Sequence, residues 1–177
     1  MKEIIEKDIY QERYQTHQQK KKECLQEIIK NRHSDRVFSN KIIEDNTIKN
    51  LILDTKKCPS SCNRQAINFL SVISRDYKDL LGGVLVGGVG WIHRASHILL
   101  IFADPLAYKA NNEKDFMPYL DAGIVVQQLY LTTTSWGLKC CFVNPNIRDF
   151  NKRHFEEIFS EQIFCGAFAI GYTKGTI

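Results

Sequence analysis

The chain has 177 residues, 44% of them apolar, and carries a formal net charge of +4 with a pI near 8.7. That is enough sequence for one domain with a core, and too mild a charge for a nucleic-acid protein, which would show a broad basic stripe or a recognised module. No apolar run approaches the roughly 20 residues of a membrane helix. Residues 1–7 lack the apolar stretch of a signal peptide, so a cytoplasmic protein with no membrane partner is expected.

Residues 1–23 are polar and helix-permissive, with a thin stripe of Ile5, Ile9, Tyr10 and Tyr14. They read as a helical extension preceding a main domain over 24–177. Lys20, Lys21 and Lys22 form the densest basic run and read as a solvated helix face. From Glu23 the helical signal sharpens: Leu25, Ile28 and Ile29 share a face, and the helix should end near Asn31. A second helix is expected over 46–57, with Asp45 as N-cap and Ile48, Leu51 and Ile52 inward. Pro59 disfavours helical geometry at Cys58 and so stops it. Residues 67–73 read as a strand, and 97–103 as an apolar strand central in a sheet.

A helix over 121–136, apolar almost all round in its first half, should be buried on most sides, with Gly137 as C-cap and Trp136 in the core. A strand over 138–143, a helix over 149–159 with Phe155, Ile158 and Phe159 on one face, and a strand over 163–172 complete the chain. Strands and helices mix without regular alternation, which points to α+β, a central and mostly antiparallel sheet flanked by helices. The six cysteines, without a secretory signal, are expected to be reduced and small packing side chains. His93, His97 and His154 share no ligand spacing and read as surface or satisfied histidines.

Two polar segments could carry chemistry. Residues 32–36 read Arg-His-Ser-Asp-Arg. Arginine offers a planar fork of donors that matches phosphate. In an extended segment alternate side chains point the same way, so Arg32, Ser34 and Arg36 would converge. The competing reading is a basic helix end complementing its own dipole. Residues 59–65 read Pro-Ser-Ser-Cys-Asn-Arg-Gln, a hydroxyl- and amide-rich loop suited to a flat polar heterocycle, or simply a helix-terminating turn.

In this order and spacing, Arg32-His33-Ser34-Asp35-Arg36-Val37-Phe38 and Pro59-Ser60-Ser61-Cys62-Asn63-Arg64-Gln65 resemble the FMN-dependent nitroreductase family. The strand beginning at Asn68, the segment with Asp121, Gly123 and Gln127, the Gly137-Leu138 pair and the closing Ala169-Ile170-Gly171-Tyr172 extend the resemblance over 24–172. It implies a nitroreductase-like fold and a homodimer with FMN at the subunit interface. By the same resemblance Arg32, Ser34 and Arg36, with His33 in the same segment, hold the FMN phosphate. Pro59, Ser60, Ser61 and Asn63 approach the flavin from the other subunit, and Gln65 of the same loop is a further cofactor-binding candidate. NAD(P)H delivers hydride to the flavin N5, and a small acceptor of nitroaromatic or quinone type is reduced in a ping-pong reaction. The cofactor carries the chemistry, so no catalytic side chain is nominated.

Three departures stand out. Pro145 lies where the family places a backbone N–H near N5, and proline has none, which leaves Asn144 or Asn146 to substitute. The family's basic cluster after the last strand is reduced to Lys174. Residues 82–91, with five glycines and Trp91, are expected to form a lid-like loop or hairpin, a structural turn, or a phosphate cradle. The alternative to an enzyme is a degenerate flavin-binding member with a binding or sensing role and no NAD(P)H turnover.

Overall fold

The structure, a computed structural model, describes residues 2–174, and side chains from residue 14 onward. The chain divides into two compact units, Met1–Arg32 and His33–Ile177. The first is a single helix, α1 (Lys2–Asn31), about 45 Å long at 1.5 Å per residue. It ends where the periodicity predicts, with Lys30 in the last turn complementing the dipole. Of the stripe expected along it, the side chains of Ile5, Ile9 and Tyr10 lie outside the described residues, and Tyr14 is exposed.

The second unit is α+β. It runs α2 (Asp45–Thr55), β1 (Ile67–Val72), α3 (Arg75–Val84), β2 (His97–Ala103), α4 (Met117–Ser135), β3 (Lys139–Val143), α5 (Asp149–Ile158) and β4 (Ile163–Gly171). The four strands form one sheet in the order β1-β2-β4-β3, every pair antiparallel. β2 is therefore an inner strand, as its apolar run predicts, and all seven of its residues are buried.

Strand alternation divides the core in two. Leu99, Ile101 and Ala103 of β2, with Phe168 and Ile170 of β4, pack under Ile48 and Leu51 of α2 and Val125 and Leu129 of α4. Ile98, Leu100 and Phe102, with Ala167 and Ala169, face Leu81 and Val84 of α3 and Phe155 of α5. The register between β2 and β4 shifts at Ile101/Phe102, leaving Cys165 without an opposing residue. Gly166 carries the bend at φ 129°, and a Cβ there would lie 2.6 Å from the Phe142 ring and the Val143 carbonyl. Gly166→Ala is therefore expected to cost about 2–4 kcal/mol through backbone strain and overpacking, read as a fall in melting temperature by circular dichroism.

Several expectations need correction. Asp45 lies inside α2, and the extended residue before the helix is Glu44. Residues 81–91 are neither a flexible loop nor a hairpin. Gly82 and Gly83 sit within α3, followed by short 3-10 turns at Val86–Gly88 and Ile92–Arg94. The helix survives its glycines because Leu81 and Val84 are buried at i and i+3.

α4 begins at Met117, and its early turns are not buried on most sides: Tyr119, Leu120 and Ile124 are 46%, 57% and 40% exposed. Trp136 is exposed rather than in the core, and Ile158 of α5 faces out while Phe155 is buried. Gly137 follows α4 at φ 69°, as a C-terminal glycine should. His97 is buried, with its Nδ1 3.0 Å from the Ser96 hydroxyl. All six cysteines are free thiols. Among the described residues no helix is long and apolar enough to cross a membrane.

Candidate functional site

Residues 32–37 leave α1 without regular structure. Arg32 is half-buried and its backbone N–H closes the last turn on Ile28 O at 3.0 Å. His33, Ser34 and Arg36 are exposed. The segment is pinned to the sheet at Asp35, whose N–H donates to Cys140 O at 2.9 Å. The Asp35 carboxylate reaches Lys139 at 3.8 Å, an ion-pair distance, while its Oδ2 is buried without a hydrogen bond.

Further on, Phe38 is buried and bridges Thr173, and the Ser39 N–H donates to Tyr172 O at 2.8 Å. Gly171 makes this possible, because a Cβ there would lie 2.6 Å from the Phe38 ring. The closing Gly171 and the phenylalanine of the arginine segment are thus two halves of one contact.

Ser34 and Arg36 are brought together. The Arg36 guanidinium reaches back to Ser34 O at 3.5 Å and lies 5.8 Å from the centre of the Trp91 ring. Trp91 packs on Phe38 at 6.3 Å between ring centroids, and its indole N–H donates to Gly87 O at 2.9 Å. The Ser34 hydroxyl lies 3.1 Å from the Tyr130 hydroxyl, which also accepts the Phe142 N–H at 2.8 Å. Burial pushes the Tyr130 phenol up from its ordinary value, and does the same to the Cys141 thiol beside it.

Nothing local in the sequence marks Tyr130, a tyrosine whose partners are 96 and 12 residues away. Tyr130→Phe leaves the Phe142 N–H without its acceptor and is expected to cost about 1–3 kcal/mol, measurable by denaturant unfolding.

The second segment follows α2 as a strained loop. Cys62, Asn63 and Gln65 have φ of 51°, 54° and 53°, and they are the positive-φ residues other than glycine among those described. Such conformations persist only where surroundings impose them, and they concentrate at functional sites. Inside the loop the Gln65 N–H donates to Ser60 Oγ at 2.9 Å, and its side-chain amide donates to Asn63 Oδ1 at 3.0 Å. Pro59, Asn63 and Gln65 are exposed, while Ser60 and Ser61 are half-buried.

The anchor is Asp121 of α4, fully buried. Its Oδ1 accepts the Ser61 hydroxyl at 2.6 Å and the Ser61 N–H at 2.9 Å, and its Oδ2 accepts the Tyr108 hydroxyl at 3.0 Å. Burial first, and the Asp121 contact second, hold the Tyr108 phenol well above its ordinary range. Arg64, paired with Glu113 at 3.2 Å, lies 5.4 Å from the centre of the Tyr108 ring. Ser61 thus spends its donor on the fold, leaving Ser60, Asn63 and Gln65 as the loop's outward polar groups.

The two segments do not meet within one chain. Ser34 is held at Tyr130 and Ser61 at Asp121, nine residues or about 13 Å apart along α4. Asn144 is exposed beyond β3, and its Oδ1 accepts the Asn146 N–H at 3.3 Å. Lys174 is exposed and lines a cleft to which neither Ser34 nor Arg36 contributes. Among the described residues no group of three or more His, Cys, Asp or Glu could hold a metal ion.

An antiparallel sheet with helices on both faces, an arginine–serine segment leaving the first helix, and a strained polar loop after the second define an α+β protein. The chain belongs to the nitroreductase family: the family's sequence model matches residues 29–88 and 79–172. Among solved structures, it is similar to a nitroreductase family protein from Streptococcus pneumoniae TIGR4, with 17% identity, 86% of this chain and 92% of that one covered, and a TM-score of 0.74. It is also similar to a nitroreductase-type protein from Exiguobacterium sibiricum 255-15 in complex with FMN, with 17% identity, 85% and 88% coverage and a TM-score of 0.74. A nitroreductase family protein from Clostridium novyi NT gives 17% identity, 85% and 86% coverage and a TM-score of 0.72. A comparison with curated proteins finds no match.

Proposed function

We propose that the protein is a cytoplasmic, FMN-dependent oxidoreductase that takes electrons from NAD(P)H and passes them to a small organic acceptor of nitroaromatic or quinone type. The observation that carries the reading is the donor set at residues 32–36, in a chain of the nitroreductase family. The Arg36 guanidinium is exposed, with Ser34 O at 3.5 Å and the centre of the Trp91 ring at 5.8 Å, in the same five-residue segment as Arg32 and Ser34. Such a set suits a phosphate monoester. When bound, FMN supplies the redox-active ring; the chain binds and orients it. Arg32, Ser34 and Arg36, with His33 beside them, would hold the phosphate.

The protein acts as a homodimer with FMN at the interface. Two features support this. The apolar Phe116, Tyr119, Leu120 and Ile124 stay 40–57% exposed beside or along α4, an apolar patch of the kind that marks an interaction surface. In addition, the loop of Pro59, Ser60, Ser61, Asn63 and Gln65 is held about 13 Å along α4 from the phosphate segment. In this reading the partner's loop covers each flavin ring.

Purified protein should be yellow, absorb near ~450 nm as oxidised flavins do, bleach on NAD(P)H addition, and elute at twice the mass of the 20.5 kDa chain. A colourless monomer that takes up no FMN would sink the reading.

One observation favours a second reading, a flavin-binding member without NAD(P)H turnover. Pro145 has no N–H, and the Asn146 N–H is engaged by Asn144 at 3.3 Å. The turn after β3 therefore offers few donors to a flavin ring, and Asn144 is the remaining residue to supply one. Yellow protein that does not bleach with either dinucleotide would select this reading.

A further inference from the structure

We propose that a basic cleft on the second unit, separate from the arginine–serine segment, binds the phosphoanhydride of a nucleotide. The cleft has a volume of about 510 Å³, within the roughly 300–1,000 Å³ range of small-molecule sites and far larger than a lone ion needs. Its lining includes Lys41, Arg75, Lys78, Arg94 and Lys174, together with His93 and the Ser39 hydroxyl, and contains no Asp or Glu. The lining thus carries five formal positive charges and no formal negative one, and low-dielectric walls focus such a field on an anion.

The cations are largely uncompensated. Arg75 pairs with Asp79 at 3.4 Å, both exposed. Lys78 is half-buried and donates to two carbonyls, Ala95 O at 2.9 Å and Ser96 O at 3.3 Å. An ammonium has three donors, so one remains for a ligand. Lys41 lies over the Tyr172 ring at 4.4 Å. Among the described residues Lys41, Lys78, Arg94 and Lys174 form no ion pair with a carboxylate. Arg75 and Lys78 also stand in the first turn of the ten-residue α3, whose dipole adds to the positive field, while Asp76 of the same turn is not part of the lining.

The walls add a second chemistry. Ile42 and Ile73 are 78% and 56% exposed on the same lining. An apolar flank beside several cations fits a ligand with a flat, weakly polar body and a polyanionic tail, which is the chemistry of a nucleoside di- or triphosphate. Ser96 Oγ already accepts the Ile43 N–H at 2.8 Å, so it shapes the wall and is not counted as a donor.

The test is isothermal calorimetry of the protein saturated with FMN, titrated with ADP, inorganic pyrophosphate and a single-stranded oligonucleotide. One-to-one binding of ADP is expected, weakened by added salt and by about tenfold or more in Lys41→Gln/Arg94→Gln. The control Lys20→Gln/Lys21→Gln, on α1, should bind as the unaltered protein does. ADP binding more tightly than pyrophosphate assigns the cleft to nucleotides, and equal binding assigns it to free phosphoanhydrides; both support the site. Binding of neither, binding unchanged in Lys41→Gln/Arg94→Gln, or binding of the oligonucleotide alone would overturn it. So would ADP binding seen only in FMN-free protein, because the probe would then occupy the flavin site. Because the heat of ADP binding is read directly, failure of the flavin reading leaves this measurement interpretable.

Discussion

Replacing Arg32 and Arg36 together by alanine is expected to release FMN from the purified protein. Two charge-assisted contacts to a phosphate, at about 1.5–3 kcal/mol each, correspond to a loss on the order of 10²–10⁴ in affinity. The flavin-to-protein absorbance ratio after gel filtration reads it directly. Arg36 is exposed, with a 3.5 Å contact to Ser34 O and the centre of the Trp91 ring 5.8 Å away, whereas Arg32 is half-buried, so the circular dichroism of the variant is read beside its flavin content to separate lost binding from lost fold. Lysine at both positions keeps the charge but not the planar fork, so Arg32→Lys/Arg36→Lys should fall between the alanine variant and the unaltered protein. A double alanine variant that keeps its full flavin content would refute the phosphate assignment.

The sheet was the most legible part of the sequence. β2 matches its apolar run to the residue, and β1, β3 and β4 end or begin within one residue of expectation. The inner strands β2 and β4 are almost entirely apolar because both of their faces are covered. α3 was illegible for a local reason: Gly82 and Gly83 mimic a loop, and neither is required there, since a Cβ at Gly82 would come no closer than 3.5 Å and one at Gly83 would meet nothing within 4 Å. Its stability comes from tertiary burial of Leu81 and Val84, which overrides propensity.

The exposed early turns of α4 depart from the sequence pattern for the opposite reason. Apolar content announces that a face must be covered, but not whether the same chain covers it. The site divides in the same way. Polar residue types flagged 32–36 and 59–65, while Tyr108, Asp121 and Tyr130, which position them, are contacts between residues up to 96 apart. Asp121 stood in the sequence as part of a helix, with nothing to mark it as the loop's anchor.

That anchor makes Asp121→Ala the most damaging single change expected in the second unit. It would strand three donors: the Ser61 N–H, the Ser61 hydroxyl and the Tyr108 hydroxyl. At about 1–3 kcal/mol for each unsatisfied group, and with partial relaxation, the loss should be about 3–5 kcal/mol, seen as a lower denaturant midpoint. Asp121→Asn keeps the shape and one acceptor oxygen, so it should recover part of that loss.

A spectroscopic readout separates this network from general destabilisation. The Tyr108 phenol is raised first by burial and then by Asp121, so its ionisation in folded Asp121→Ala should move down, toward the ordinary tyrosine value, by absorbance titration. The loop should respond as well. Cys62, Asn63 and Gln65 hold left-handed backbone at φ 51–54°, a strain that relaxes once Ser61 is unpinned. Hydrogen exchange at residues 60–65 should then accelerate in Asp121→Ala while β2 stays protected. Unchanged exchange in the loop, with an unchanged midpoint, would mean that Asp121 does not hold it.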